Sequence, residues 1–354
     1  MLVRRAIRCD CPAEYCSSIL HLDKNDPCSI ISYSQADATA PLLAVASLLL
    51  FYDEDVSIVS TPQAPIKLIA IDIDGTLLTP QKHITPRTRD AIQAAREAGI
   101  IVTLATGRRY HNSLIFAEEL GIDIPIILYD GALIVEHPQG TVLHSHQLQA
   151  HIAQEVVEIL VEYKIQPVVH HMRDNIEETW TGHAEFDNDW VSTYFSFTPH
   201  NLQRVHYDNC CVGQADPLRV LAFAPEEITH TLIPAISTLD CSWNIISSGN
   251  YGTAEMAIVH KMCSKASGVE ALARHLQIPL SQVMAIGDNN NDIEMLQSVG
   301  WGVAMGQASA QVKAMAHATT ASNTEDGVAL AIERYALACD RQYCSNSSKR
   351  PTCR

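Results

Sequence analysis

Residues 66–78 read IKLIAIDIDGTLL, and the fold is decided by what this stretch does. Residues 66–71 are apolar except for Lys67, the composition of a strand covered on both faces in a parallel sheet. The character then changes at once. Asp72, Asp74, Gly75 and Thr76 bring two carboxylates, a turn-permitting glycine and a hydroxyl to the end of that strand. Side chains two apart on extended backbone share a face, so Asp72 and Asp74 are expected to point the same way. Two carboxylates about 4 Å apart repel by roughly 1 kcal/mol in water and about 4 kcal/mol at an effective dielectric of 20, so a proton or a cation must accompany them.

Outward from this stretch, Thr85 can cap and Pro86 can open a helix whose apolar stripe includes Ala91, Ile92, Ala95 and Ala98, and Gly99 can end it. Residues 100–105 (IIVTLA) repeat the buried-strand pattern. Strand, helix, strand is the βαβ unit, which requires a parallel sheet with a right-handed crossover. A helix around 109–120 and strands at 126–129, 283–286 and 303–305 continue it. Between 131 and 261 the rhythm changes to a hairpin-like stretch with Pro138 and Gly140, a helix near 150–163, mixed strands and a helix near 226–239. The expected fold is α/β: a doubly wound, mostly parallel Rossmann-like sheet with an inserted α+β domain. The chain divides into an extension expected to be poorly ordered (1–64), a core (65–131 and 261–335), the insertion (132–260) and a disordered tail (336–354).

Composition narrows the partners. Against 24 Lys plus Arg stand 40 Asp plus Glu, a net charge of −16, which repels polyphosphate and anionic membrane surfaces, so no nucleic-acid partner is expected. With 47% hydrophobic and 18% charged residues the chain reads as globular. The longest apolar run, 41–52 (PLLAVASLLLFY), falls short of the roughly 20 residues a membrane helix needs. Eleven cysteines in a chain this long point to reduced thiols and a cytoplasmic setting. Cys9, Cys11, Cys16 and Cys28 cluster without the paired C-x2-C of a zinc site, and Cys339, Cys344 and Cys353 fall in the polar tail.

Reactive groups of an open α/β sheet gather beyond the carboxyl ends of its strands. Three further clusters stand at such ends or at helix starts. Thr106-Gly107-Arg108 offers a hydroxyl, a flexible amide and a guanidinium suited to a phosphate oxygen. Lys265 precedes a helix pattern over 268–276 and supplies a point charge. Residues 287–292 (GDNNND) add Asp288 and Asp292, one turn apart, enough to complete an oxygen-ligand Mg2+ site. Each cluster alone has a plain structural reading as a cap, an ordinary turn or a solvated lysine. Their common placement on one sheet is what points to chemistry. His144, His146, His170 and His171 have no carboxylate at ligand spacing and read as packing, as do Trp180, Phe186, Trp190, Tyr194, Phe195 and Phe197.

DIDGTLL, LATGR, Lys265 and GDNNND together resemble the four motifs of haloacid dehalogenase-like (HAD) hydrolases, in the Cof-type sugar-phosphatase branch with its large cap between the second and third motifs. Residues 129–132 (YDGA), 303–308 (VAMGQA) and 322–329 (SNTEDGVA) are similar to that branch too, so the match spans roughly 66–335. The resemblance implies a Mg2+-dependent phosphatase acting on a small phosphomonoester, a sugar phosphate or similar metabolite, through an aspartyl-phosphate. It implies that Asp72 is the nucleophile and Asp74 the general acid and base. Asp72, Asp74 through its backbone carbonyl, and Asp288 would hold Mg2+, with Asp292 in or near the metal shell. Thr106, Gly107, Lys265 and Asn291 would grip the phosphate, and the insertion would be a cap that sets specificity. Two residues depart from the family pattern: Asp130 stands where Asn is usual, adding negative charge near an anion site, and Ala266 stands where Gly usually follows the lysine. A phosphomutase or phosphotransferase using the same intermediate, and a non-catalytic phosphometabolite-binding protein, are the alternatives. Dehalogenation needs no second Asp at position 74, and a pump-type ATPase needs membrane spans. The particular ester and the oligomeric state are left open by the sequence.

Overall fold

The computed structural model describes residues 21–23, 26–31, 61–173, 176–196, 202–246 and 252–338. By its internal contacts the chain divides into Met1–Val59 and Ser60–Arg354. In the first unit β1 (His21–Asp23) and β2 (Asp26–Ile31) pair as an antiparallel hairpin. Both strands lie within the extension 1–64. The apolar run 41–52, Cys9, Cys11 and Cys16, and the cysteines of the tail lie outside the described residues.

In the second unit the chain runs through β3 (Leu68–Ile71), α1 (Pro86–Glu97), β4 (Ile101–Leu104), α2 (Tyr110–Glu119) and β5 (Ile126–Leu128). Helix α1 starts as its sequence suggests: Thr85 accepts a hydrogen bond from the Thr88 N–H at 3.2 Å, Pro86 occupies the first turn, and Gly99 with φ +82° follows the end. Strands β6 (Leu133–Val135) and β7 (Val142–Ser145) then make an antiparallel extension with β5.

The insertion follows as α3 (Ala150–Glu162), β8 (Val168–Arg173), β9 (Ile176–Thr181), α4 (Asp189–Ser196), β10 (Leu202–Arg204), β11 (Arg219–Ala224), α5 (Glu226–Ile236), β12 (Cys241–Ile246) and β13 (Ala254–His260). The chain then returns through α6 (Lys265–His275), β14 (Val283–Gly287), α7 (Ile293–Ser298), β15 (Trp301–Ala304), α8 (Ala310–Met315), β16 (Ala318–Thr319) and α9 (Gly327–Ala331). A π-helical turn, Ile332–Leu337, closes the described chain and buries Ala336, so regular structure passes position 336 where the tail is expected to begin. Three other boundaries move. The helix expected from 268 starts at Lys265 because Ser264 and Ser267 form a capping box. The strand expected at 303–305 is Trp301–Ala304, and α5 stops at Ile236, two residues beyond Pro234.

The core sheet has the order β16-β15-β14-β3-β4 with every pairing parallel. All four residues of β3 are completely buried, as its unbroken apolar run requires. From β3 the chain crosses to β4 on one side and returns at β14 on the other. The strand order therefore reverses at β3, and a crevice opens outside its carboxyl end. The second sheet has the order β10-β9-β8-β11-β13-β12, antiparallel except for β9 with β10. Directly opposed residues share a face. On the outer face Val169, Val220, Ala222, Met256 and Ile258 pack with Val156, Leu160, Leu232 and Ile236 of α3 and α5. On the inner face His170, Arg219, Leu221, Phe223, Ala257 and Glu255 share one side by register, and Val191, Tyr194 and Phe195 of α4 cover its apolar part. That inner face meets the core: Arg219 donates to the Gly107 carbonyl at 2.6 Å, and Tyr129 Oη donates to Glu177 at 2.9 Å. Among the described residues no helix is long and apolar enough to cross a membrane.

Candidate active site

The Asp72 N–H donates to the Ile286 carbonyl at 3.0 Å, so the pairing of β3 with β14 carries one residue past the strand and delivers Asp72 beside the turn that follows β14. The chain then folds back on itself, with Leu77 N–H donating to the Asp72 carbonyl at 3.1 Å. Gly75 makes this possible: its φ is +84°, and a Cβ there would lie 2.3 Å from Asp288 Oδ2. Thr76 Oγ1 donates to Asp288 Oδ1 at 2.7 Å, tying the first motif to the last.

Lys265 enters from the first turn of α6. Its ammonium, only 2% exposed, donates to Asp72 Oδ1 and to Asp292 Oδ1, each at 2.7 Å. The other oxygen of Asp292 accepts from the backbone N–H groups of Asp288 at 3.0 Å and Asn289 at 2.9 Å, so both oxygens are engaged in shaping the turn. Asp72, Asp288 and Asp292 each place a carboxylate oxygen within 4.8 Å of the others. Burial raises the Asp72 carboxyl well above the usual carboxylate range, Lys265 pulls it down, and the charges of Asp292 and Asp288 add to the rise. Asp288 is pushed up to about 6 by burial and then by Asp292. Burial would lower the Lys265 ammonium, but Asp292 and Asp72 outweigh it and hold the proton firmly. Oxygen-only donors with more negative charge than one ammonium can balance fit a hard divalent cation such as Mg2+.

Asp74 engages different partners from Asp72. The guanidinium of Arg108 forks onto it, Nε to Oδ2 at 2.6 Å and Nη2 to Oδ1 at 2.7 Å, and Lys82 Nζ lies 3.0 Å from Oδ1. Burial alone would raise this carboxyl, but Arg108 and Lys82 hold it at about 2. Its carboxylate stands outside the acidic trio of Asp72, Asp288 and Asp292. Arg108 therefore serves Asp74 rather than standing free as a phosphate ligand. Thr106 Oγ1 accepts from the Arg108 N–H at 3.1 Å and is buried at the end of β4. Asn291 spends its amide donor on Asp130 Oδ1 at 3.0 Å and leaves its own Oδ1 buried without a partner. Asp130 sits at φ +53°, a left-handed conformation that Asn and Asp tolerate, while Ala266 lies in the ordinary helical first turn of α6.

A family profile, haloacid dehalogenase-like hydrolase, matches residues 69–332. The chain belongs to the haloacid dehalogenase-like hydrolase family. It is a phosphoric monoester hydrolase of the Cof-type branch. It is 30% identical over 283 residues to the 5-amino-6-(5-phospho-D-ribitylamino)uracil phosphatase YitU of Bacillus subtilis, covering 76% of this chain and 97% of that one. It is 29% identical over 279 residues to the pyridoxal phosphate phosphatase YbhA of Escherichia coli, covering 74% of this chain and 96% of that one. Among solved structures, the HAD subclass IIB sugar phosphatase BT4131 superposes with a TM-score of 0.64 at 25% identity, covering 75% of this chain and 98% of that one.

Two parts of this phosphatase's site escape the motif reading. Lys82, at φ +61° in the loop after the first motif, reaches back to Asp74, and only the fold of that loop reveals it. Arg219 is 4% exposed at the start of the strand RVLAFA, and a charge opening an otherwise apolar run was the one available signal. Its Nε donates to His170 Nδ1 at 3.1 Å, His170 Nε2 lies 2.6 Å from Tyr194 Oη, and its guanidinium sits 4.7 Å over the Tyr129 ring. Burial, then Arg219, lowers His170 well below its ordinary value, so it is a neutral packing group. His144 meets His146 edge-on with ring centroids 4.4 Å apart, and His146 stacks on His260 at 5.4 Å.

Proposed function

We propose that this phosphatase hydrolyses a small phosphomonoester in a Mg2+-dependent reaction through an aspartyl-phosphate on Asp72. The observation that carries the reading is the position of Asp72, 5% exposed in its side chain and held 2.7 Å from Lys265 beside Asp288. A carboxylate that a lysine orients while a neighbouring cation site draws in the phosphate is a nucleophile aimed at phosphorus. Asp72 and Asp288 with the Asp74 carbonyl would hold the Mg2+, which supplies charge neutralisation for the incoming anion when bound.

In the first step an Asp72 oxygen attacks phosphorus, the ester P–O bond breaks, and Asp74 gives its proton to the leaving alkoxide. In the second, water attacks phosphorus, Asp74 takes the water's proton, and the acyl-phosphate P–O bond breaks to release phosphate and restore Asp72. Asp74 must carry a proton for the first step, yet Arg108 and Lys82 hold it at about 2. The arriving phosphate anion competes for both cations, loosens their hold and lets the proton in. Thr106, the Gly107 N–H and Lys265 contribute donors for the phosphate. The insertion, 132–260, acts as the cap that excludes water and selects the ester. The free thiols of Cys210, Cys211 and Cys263 support a cytoplasmic place of action.

The test is turnover of p-nitrophenyl phosphate with Mg2+ by wild type and Asp72→Asn. Wild type is expected to release inorganic phosphate and nitrophenol in equal amounts, with the variant inactive. Full activity in Asp72→Asn contradicts the nucleophile. Nitrophenol released in excess of phosphate when a sugar acceptor is present favours phosphoryl transfer over hydrolysis.

A further inference from the structure

The inner face of the cap carries polar groups that the chemistry above does not use. Glu255 lies on it by register, opposite Phe223 of β11 and Ile246 of β12. Asn244 lies on the same face, opposite Ala257 and hence one pair along from Glu255, within reach of a long side chain. Strand β12 packs directly against the Asn290–Asp292 turn, so this end of the cap overhangs the floor of the crevice.

Three observations show what this ceiling lacks. Among the described residues the Glu255 carboxylate makes no hydrogen bond or ion pair, although it stands near enough to Arg219, Asp130, Asp74 and Arg108 to feel their charges. Part of its surface is exposed, while burial of the rest raises its pKa to about 7, with Arg219 opposing the rise and Asp130 and Asp74 adding to it. Asn244 Oδ1 and, in the Asn290–Asp292 turn against which β12 packs, Asn291 Oδ1 are both buried without a partner. An unpaired buried acceptor costs about 1–3 kcal/mol, and here two of them and a carboxylate lie on one cap face and the turn packed against it. Asp130 adds a further anion where its Gly107 and Asn291 neighbours close that crevice.

We infer that Glu255 and Asn244 form the subsite that reads the leaving group, selecting phosphomonoesters whose leaving group presents hydroxyl or amino donors and turning away those that present a carboxylate. A donor-rich leaving group fills every vacant acceptor in the crevice at once. A carboxylate adds charge to Glu255 and Asp130 and satisfies none of them. This rests on the phosphatase reading of the same site.

The experiment compares glucitol 6-phosphate with 6-phosphogluconate, which differ only in a terminal CH2OH against a carboxylate, and uses p-nitrophenyl phosphate as an independent probe of the chemistry. If wild type fails on p-nitrophenyl phosphate, the phosphatase reading fails and this subsite with it. With that activity present, kcat/KM is expected to favour glucitol 6-phosphate by about tenfold or more, the worth of one charge-assisted hydrogen bond. Glu255→Gln, which keeps the shape and removes the charge, should collapse the ratio between the two hexose-derived esters, and Asn244→Ala should narrow it. A purely structural part for Glu255 would lower both esters alike and leave the ratio unmoved, overturning the inference. Equal or better turnover of 6-phosphogluconate by wild type, or p-nitrophenyl phosphate turnover with neither six-carbon ester accepted, overturns it too.

Discussion

On the floor of the crevice almost every polar atom has a partner. Lys265 spans Asp72 and Asp292, Asp292 accepts two backbone N–H groups, Thr76 holds Asp288, and Arg108 with Lys82 clamps Asp74. On the inner face of the cap, Arg219 is fully engaged at one end of the sheet while Glu255 and the Asn244 oxygen wait unpaired at the other. The floor is pre-organised for one reaction, because groups that must meet a transferring phosphoryl group gain most when they cost no rearrangement. The cap end keeps its polar atoms unspent for a ligand that the floor does not specify. On the proposed reading, chemistry and choice are lodged in different sheets.

The sharpest way to break this contrast is to unpair the floor. Lys265→Ala leaves two buried carboxylates without their cation and should cost about 3–5 kcal/mol in urea denaturation, with part restored by millimolar Mg2+. A loss below about 1 kcal/mol would mean that the floor is no more committed than the cap.

Asp74 gives a smaller, pH-coded effect. Its folded value of about 2 lies below its ordinary 3.8, so its contribution is fully present above pH 3.8 and fades as the pH falls through 2. Asp74→Asn should therefore lose about 2 kcal/mol at pH 7, since lowering a carboxyl's pKa by one is worth about 1.4 kcal/mol, and the gap to wild type should close in acid. A gap that does not change with pH would show that Arg108 and Lys82 are not what holds Asp74.

Glu255 should behave in the opposite sense and more weakly. Burial raises it from an ordinary 4.5 to about 7, with Asp130 and Asp74 adding to the rise and Arg219 and Arg108 opposing it. The folded state is then at no disadvantage below pH 4.5 and loses stability as the pH rises through 7. Glu255→Gln should melt above wild type at pH 8 by an amount worth about 1 kcal/mol, the figure kept small because water reaches the carboxyl, and the two should converge below pH 4.5. A variant less stable than wild type at pH 8 would place Glu255 with the paired groups of the floor.

How legible each region is follows from the same contrast. Asp72, Asp74, Lys265 and Asp288 can be read because each closes a strand or opens a helix whose period is clear, and a parallel sheet has one edge at which such ends collect. The partners are harder. Arg108 closes a strand in a way that suits phosphate equally well, and its turn toward Asp74 depends on a loop whose shape no period encodes. In the cap, the insertion of β11 between β8 and β13 is a non-local choice. Glu255, set in the run AEMAIVH, alternates like any strand residue facing water, so its sequence cannot distinguish solvent from substrate.

The central claim is the covalent role of Asp72. Quenching the enzyme during turnover of p-nitrophenyl phosphate and reducing it with borohydride converts an aspartyl-phosphate to homoserine, which peptide mass spectrometry can locate. The account predicts homoserine at position 72 in a substrate-dependent amount, and none there in Asp72→Asn. Rapid turnover with position 72 unmodified, or with the modification at another carboxylate, would contradict it.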